Sequence, residues 1–152
     1  MRFLLLFLAA IPVLSGEPAD EFNHKRHGAL KLECAFCHAG ATKAERAGFP
    51  AAGQCMLCHQ TLPKTAPLIE KIAAMPNDEK PFQTRYHLLP DFVFFSHARH
   101  MQAKLECASC HGSVFTADSA KPVMALKMKA CIDCHTEHKA KKTCDVCHEP
   151  MQ

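Results

Sequence analysis

Phe95-Ser96-His97-Ala98-Arg99-His100, a short spacer, and then Cys107-Ala108-Ser109-Cys110-His111 is the stretch whose reading decides the fold. C-x-x-C-H is the pattern to which haem is attached covalently. The two thiols form thioethers with the haem vinyl groups, and the histidine that follows ligates the iron from one side. His97 and His100 stand just upstream, three residues apart, and can ligate irons from the other side. The same layout occurs at Phe22-Asn23-His24-Lys25-Arg26-His27, followed by Cys34-Ala35-Phe36-Cys37-His38. Lys-Leu-Glu-Cys recurs at 31–34 and 104–107, and every matching residue is offset by 73, so the module is duplicated.

Three further motifs complete the set: Cys55-Met56-Leu57-Cys58-His59, Cys131-Ile132-Asp133-Cys134-His135 and Cys144-Asp145-Val146-Cys147-His148. All ten cysteines fall in five pairs, and histidine follows each pair at once. Zinc sites also use C-x-x-C pairs, but they need four ligands per metal and have no use for a histidine after every second cysteine. A secreted disulfide framework has none either. The pattern therefore implies five covalently bound haem c groups, with His38, His59, His111, His135 and His148 as proximal ligands.

The chain has 11 histidines, so six remain: His24, His27, His87, His97, His100 and His138. Five irons with two histidines each need five distal ligands. His24, His27, His97 and His100 recur in both copies of the module and fill four places. His87 and His138 compete for the fifth. One helical turn would hold His138 on the side of His135, whereas His87 lies in an extended approach, so His87 is the favoured ligand. Methionine is the competing distal ligand and raises the potential. With histidine in excess, Met56, Met75, Met101, Met124 and Met128 read as packing residues, and low-potential bis-histidine haems are expected.

The 152 residues suit one compact domain. Met1-Arg2, the apolar run 3–14 and Ser15-Gly16 read as a secretory leader over 1–16. The run falls short of the roughly 20 apolar residues of a membrane span. Export to the periplasm fits, because c-type haems are attached outside the cytoplasm. Residues 17–62 form a dihaem module, 63–94 a connector, and 95–152 a trihaem module. The formal charge of +3 is no nucleic-acid signal. Lys121, Lys127, Lys129, Lys139, Lys141 and Lys142 crowd the last third, as a solvated face offsetting haem propionates or a patch for an acidic redox partner.

Little conventional core remains once the leader is set aside, and there is no tryptophan. The haems take the place of the core, so the chain without them should be largely unfolded. The expected fold is mostly irregular with short α-helices and little or no sheet. A short helix should open at Phe22 to His27, and residues 39–54 read as a Gly-rich loop. Leu68 to Met75 fits two helical turns, and Phe92 to Phe95 should line haems rather than form a strand.

Phe-x-His-x-x-His ahead of C-x-x-C-H resembles the class III multihaem cytochromes, the cytochrome c3 and c7 group. Other stretches resemble the pentahaem cytochrome subunit of alternative complex III and related quinone-linked complexes. They are Ala47-Gly48-Phe49-Pro50 running into the second motif, His87-Leu88-Leu89-Pro90-Asp91-Phe92-Val93-Phe94-Phe95-Ser96-His97, and the C-x-x-C-H-Gly at 107–112. That resemblance covers most of residues 22–148. It implies a small cytochrome that relays electrons outside the cytoplasmic membrane, beside a quinol-oxidising or quinone-reducing membrane complex. The histidine before Leu-Pro-Asp-Phe in that pattern supports His87 as a ligand. The same residues suit a free-standing shuttle with redox partner proteins. No membrane span of its own is expected. The competing function is a multihaem reductase of a small inorganic substrate such as nitrite. It would need an iron with an open position, whereas every motif here ends in histidine and distal histidines are in surplus.

Overall fold

The computed structural model describes residues 22–62, 66–116 and 123–148. The leader, Lys121 and the last four residues lie outside them. Among the described residues eight short helices run in order: α1 His24–His27, α2 Cys34–Cys37, α3 Ala52–His59, α4 Pro67–Ala73, α5 His97–Gln102, α6 Ala108–His111, α7 Met128–Glu137 and α8 Cys144–Cys147. Two 3-10 turns, Gly28–Leu30 and Ala39–Thr42, follow α1 and α2. Among the described residues there is no strand, only an isolated antiparallel bridge between Val93 and His148. No helix of these residues is long and apolar enough to cross a membrane.

Each attachment motif makes a helical turn for a local reason. The histidine N–H donates back to the carbonyl of the first cysteine, from His38 to Cys34 at 2.9 Å, His111 to Cys107 at 3.0 Å and His148 to Cys144 at 2.9 Å. That turn brings the two thiols, at i and i+3, and the histidine, at i+4, onto one face. The second and fourth motifs lie inside the longer helices α3 and α7.

The duplication is visible in the caps. Asn23 Oδ1 accepts from the Arg26 N–H at 3.1 Å and starts α1. Ser96 Oγ accepts from the Arg99 N–H at 3.4 Å and starts α5. Both are the N-cap residue types that satisfy an otherwise orphaned N–H. Lys31 and Lys104, 73 residues apart, both take left-handed backbone, with φ of 51° and 59°. Both turns come straight before Leu-Glu-Cys and reverse the chain toward the attachment motif.

The loop expected over 39–54 contains more structure than its glycines suggest, because its first residues form the 3-10 turn and its last begin α3. The helix expected at Leu68 to Met75 runs from Pro67 to Ala73, with proline in its first turn. Phe92 to Phe95 forms no strand beyond the single bridge.

The buried apolar core of the described residues is Ala52 and Ile72, where α3 packs on α4. Large apolar side chains face outward around the motifs instead: Phe36, Leu57, Ile132 and Val146 inside them, and Phe92, Phe94 and Phe95 before α5. A polypeptide alone gains little by presenting so much apolar surface beside its cysteines. A large apolar cofactor seated on those cysteines would cover it.

Candidate haem-ligand sites

α1 and α5 each present two histidines on adjacent turns, and each ring faces the histidine of an attachment motif. His24 lies 6.3 Å from His38 and His97 lies 6.3 Å from His111, centroid to centroid. His27 lies 6.2 Å from His59 and His100 lies 6.1 Å from His135. An imidazole nitrogen sits ~2.0 Å from a first-row metal and ~1.1 Å from its ring centre, so two rings sharing one iron stand ~6.2 Å apart. All four pairs keep that separation. In each module the first histidine meets its own motif and the second meets the next motif along the chain.

The rings are held in a definite tautomer. Nδ1–H donates to a backbone carbonyl in six of them: His27 to Asn23 at 3.1 Å, His38 to Gly48 at 2.7 Å, His97 to Glu45 at 2.8 Å, His100 to Ser96 at 2.7 Å, His148 to Phe92 at 3.3 Å, and His135 to Lys141. A carbonyl only accepts, so the proton is on Nδ1 and Nε2 keeps its lone pair for a metal. Burial, then His38 and His27, pushes the His24 imidazole below its ordinary value. Burial, then His87, His97 and His38, does the same for His111. Neutral rings are the form that ligates iron.

A phenylalanine fixes each pair of distal rings. Phe22 stacks on His27 at 4.6 Å and 27° and meets His24 edge-on at 4.8 Å. Phe95 repeats this, stacked on His100 at 4.4 Å and 26° and edge-on to His97 at 4.8 Å.

His148 is in different surroundings. Phe92 stacks beside it at 5.8 Å, Val93 bridges to it, and the Phe94 N–H donates to the Cys147 carbonyl at 2.8 Å. Among the described residues no ring contact joins His87 or His138 to it. His87 lies edge-on to His111 at 4.5 Å, and its Nε2 is buried without a hydrogen-bond partner. His138 is the exposed C-cap of α7.

The donor set fits haem better than zinc. Among the described residues no three or more of His, Cys, Asp and Glu converge to hold a metal ion, as a zinc cage would require. Facing imidazole pairs, cysteine pairs on the same helical turns and uncovered apolar surface around them are what a covalently held iron porphyrin needs.

The carbonyls that orient the rings escaped sequence reasoning. Asn23 and Ser96 are of residue types that cap helices, a signal left unread in the sequence, whereas Glu45, Gly48, Phe92 and Lys141 act through their backbones, which carry no side-chain signal. Phe115, 6.4 Å from His24 and belonging to the other module, is likewise set by tertiary packing.

The chain is similar to known multihaem cytochromes along most of its length. The family model described as Cytochrome c3 matches residues 26–112, and that described as Cytochrome c7 and related cytochrome c matches residues 93–149. A relative from Nitratidesulfovibrio vulgaris strain Hildenborough, named Menaquinone reductase, multiheme cytochrome c subunit, is 26% identical over 164 aligned positions. The alignment covers 88% of this chain and 77% of the relative. With half the chain and more under one family model, and a small helix-containing fold with no strand among the described residues to match, the chain belongs to the cytochrome c3 family and is a multihaem c-type electron-transfer cytochrome.

Proposed function

We propose that the chain is an exported pentahaem cytochrome with bis-histidine irons that passes electrons to or from a quinone-linked membrane complex. The four imidazole pairs at 6.1–6.3 Å carry this reading, because that spacing suits one iron per pair and occurs four times. The fifth motif, Cys144 to His148, repeats the attachment chemistry. His87 is the fifth distal ligand in this reading, its Nε2 buried without a hydrogen-bond partner, and it would have to leave its place beside His111 to reach the iron of the fifth motif. His138, on the exposed end of α7, is the alternative. When bound, the haems supply one-electron redox chemistry. The polypeptide supplies the rest. It orients Nε2 through the Nδ1–H bonds, excludes water with Phe22, Phe95 and the motif side chains, and by burial lowers the pKa of His24 and His111.

The pathway rests on likeness to the menaquinone reductase subunit and on the leader-like residues 1–16. In this reading the chain is the electron carrier of such an assembly and leaves quinone chemistry to a partner. The test is intact-mass analysis of the protein from a c-type maturation host, joined to electron paramagnetic resonance (EPR). The expected result is five haem additions to a chain shortened at its leader, with low-spin irons. Fewer haems, bound zinc, or ready carbon monoxide binding by the native protein would overturn it, the last in favour of a reductase.

A further inference from the structure

We infer that the five attachment motifs form a line in the order second, first, third, fourth, fifth, with the duplicated halves meeting head to head at the first and third. This rests on the pentahaem reading above. In each half one helix spans two sites, α1 the first and second and α5 the third and fourth. The halves join through their own-motif ends. The His97 N–H and Nδ1–H both donate to the Glu45 carbonyl, at 3.0 Å and 2.8 Å, and the Ala98 N–H donates to Ala44 at 3.0 Å. These acceptors lie just after the first motif. Phe115, just after the third motif, packs on Gly28, where an added Cβ would be 3.1 Å from its own. Phe115 also lies edge-on to His24, the ring that faces the first motif, at 6.4 Å.

The second motif is turned away from this junction. α3 packs on α4, and its Ala52 and Gly53 N–H groups donate to Glu79 at 2.7 Å and Asn77 at 2.9 Å in the connector. Its Gln54 amide donates to the Phe36 carbonyl inside the first motif. At the other end the His135 Nδ1–H of the fourth motif donates to the carbonyl of Lys141, three residues before Cys144, so the fifth motif adjoins the fourth.

Ring orientation obeys the same two-fold relation. The inner pairs are near-parallel, at 19° for His24–His38 and 9° for His97–His111. The outer pairs are tilted, at 63° for His27–His59 and 54° for His100–His135. The first four sites therefore read as a palindrome, and the fifth breaks it at one end. Charge entering at the second site crosses the first–third junction to reach the rest, which makes the two ends of the line the exchange points with partners.

The order is tested on the full holoprotein by haem-resolved redox titration with nuclear magnetic resonance. The variants are His27→Met and His100→Met, each exchanging an outer imidazole for a thioether that raises that site's potential. Coulomb coupling falls with distance, so the secondary shift reports neighbours. His27→Met should displace the midpoint of one other site strongly, the first. His100→Met should displace two, the third and the fifth. A largest secondary shift on the third, fourth or fifth site in His27→Met overturns the order. In the wild type, two rhombic low-spin EPR signals and two strongly anisotropic ones are expected from the four pairs, and one shared class overturns the two-fold relation. Five attached haems with the wrong neighbours refute the line alone, whereas fewer than five refute the pentahaem reading. Should either variant fail to mature, iron–iron distances in a structure of the wild-type holoprotein decide. The nearest iron to the second should be the first, and any other overturns the inference.

Discussion

Gly40→Ala should loosen two iron sites at once, one in each module. Gly40 sits in the turn after the first motif, where its N–H donates to Ala47 at 3.0 Å and its carbonyl accepts from Ala44 at 2.8 Å. A Cβ there would collide with the Arg46 carbonyl oxygen and lie 2.7 Å from that of Ala47. Both are backbone atoms and cannot swing aside as a side-chain tip would. The same turn offers Gly48 O to His38 and Glu45 O to His97. Forcing a methyl into such a site costs about 1–3 kcal/mol. At roughly 2–4 °C per kcal/mol for a chain of this size, the melting midpoint should fall by several degrees. Thermal unfolding followed in the Soret band gives the stability, and EPR shows which irons respond. The signals of the two near-parallel pairs should broaden or shift while those of the tilted pairs stay. Gly53→Ala is the control, because its Cβ would meet Asn77 at 3.1 Å beside the second motif and away from the turn. If Gly40→Ala leaves both the midpoint and the near-parallel signals unchanged, the turn does not position those rings and the reasoning fails.

His87→Ala should yield one high-spin iron by EPR and His138→Ala none; the reverse result makes His138 the fifth ligand and leaves the pentahaem reading intact. Asn23→Ala and Ser96→Ala should each lower stability by about 1 kcal/mol in denaturant titrations, because each removes the oxygen that caps a ligand-bearing helix. Equal effects are expected, since the two caps are duplicates. The chain made without haem attachment should give a largely unfolded far-UV circular dichroism spectrum, because Ala52 and Ile72 alone form the buried apolar core of the described residues. A cooperative melt of that chain would refute the idea that cofactors replace the core.

Much of the site was legible because covalent haem chemistry fixes residue type and spacing together. The five motifs, the two Phe-x-His-x-x-His segments and their 73-residue offset could be read directly, and so could the scarcity of strand. The facing of His27 with His59 and His100 with His135 could not be read, because contact across 32 and 35 residues depends on how the chain returns. The 3-10 turn at Ala39–Thr42 was hidden among glycines and alanines, whose composition suits a loop equally well. His87 shows the limit of counting ligands. Arithmetic assigns it a role, yet its ring lies against His111, a neighbour that no spacing rule announces.

The way each helix spans two sites bears on how the protein matures. His24 and His97 each stand 14 residues before the motif histidine they face. His27 and His100 must close loops of 32 and 35 residues. Closure entropy grows only with the logarithm of length, so the longer loops are disfavoured by roughly 0.8 kcal/mol. Speed therefore sets the sequence of events, and the short loops close first. His27 and His100 are nearer still to the first and third motifs, at 11 residues, and compete for the same irons. In the bis-histidine reading proposed above, a freshly loaded chain thus meets a competing ligand at the start of each module. Phe22 and Phe95, stacked on the second ring and edge-on to the first, hold the two imidazoles of each helix in different orientations in the folded chain, which is where the correct partner is distinguished from the nearer one.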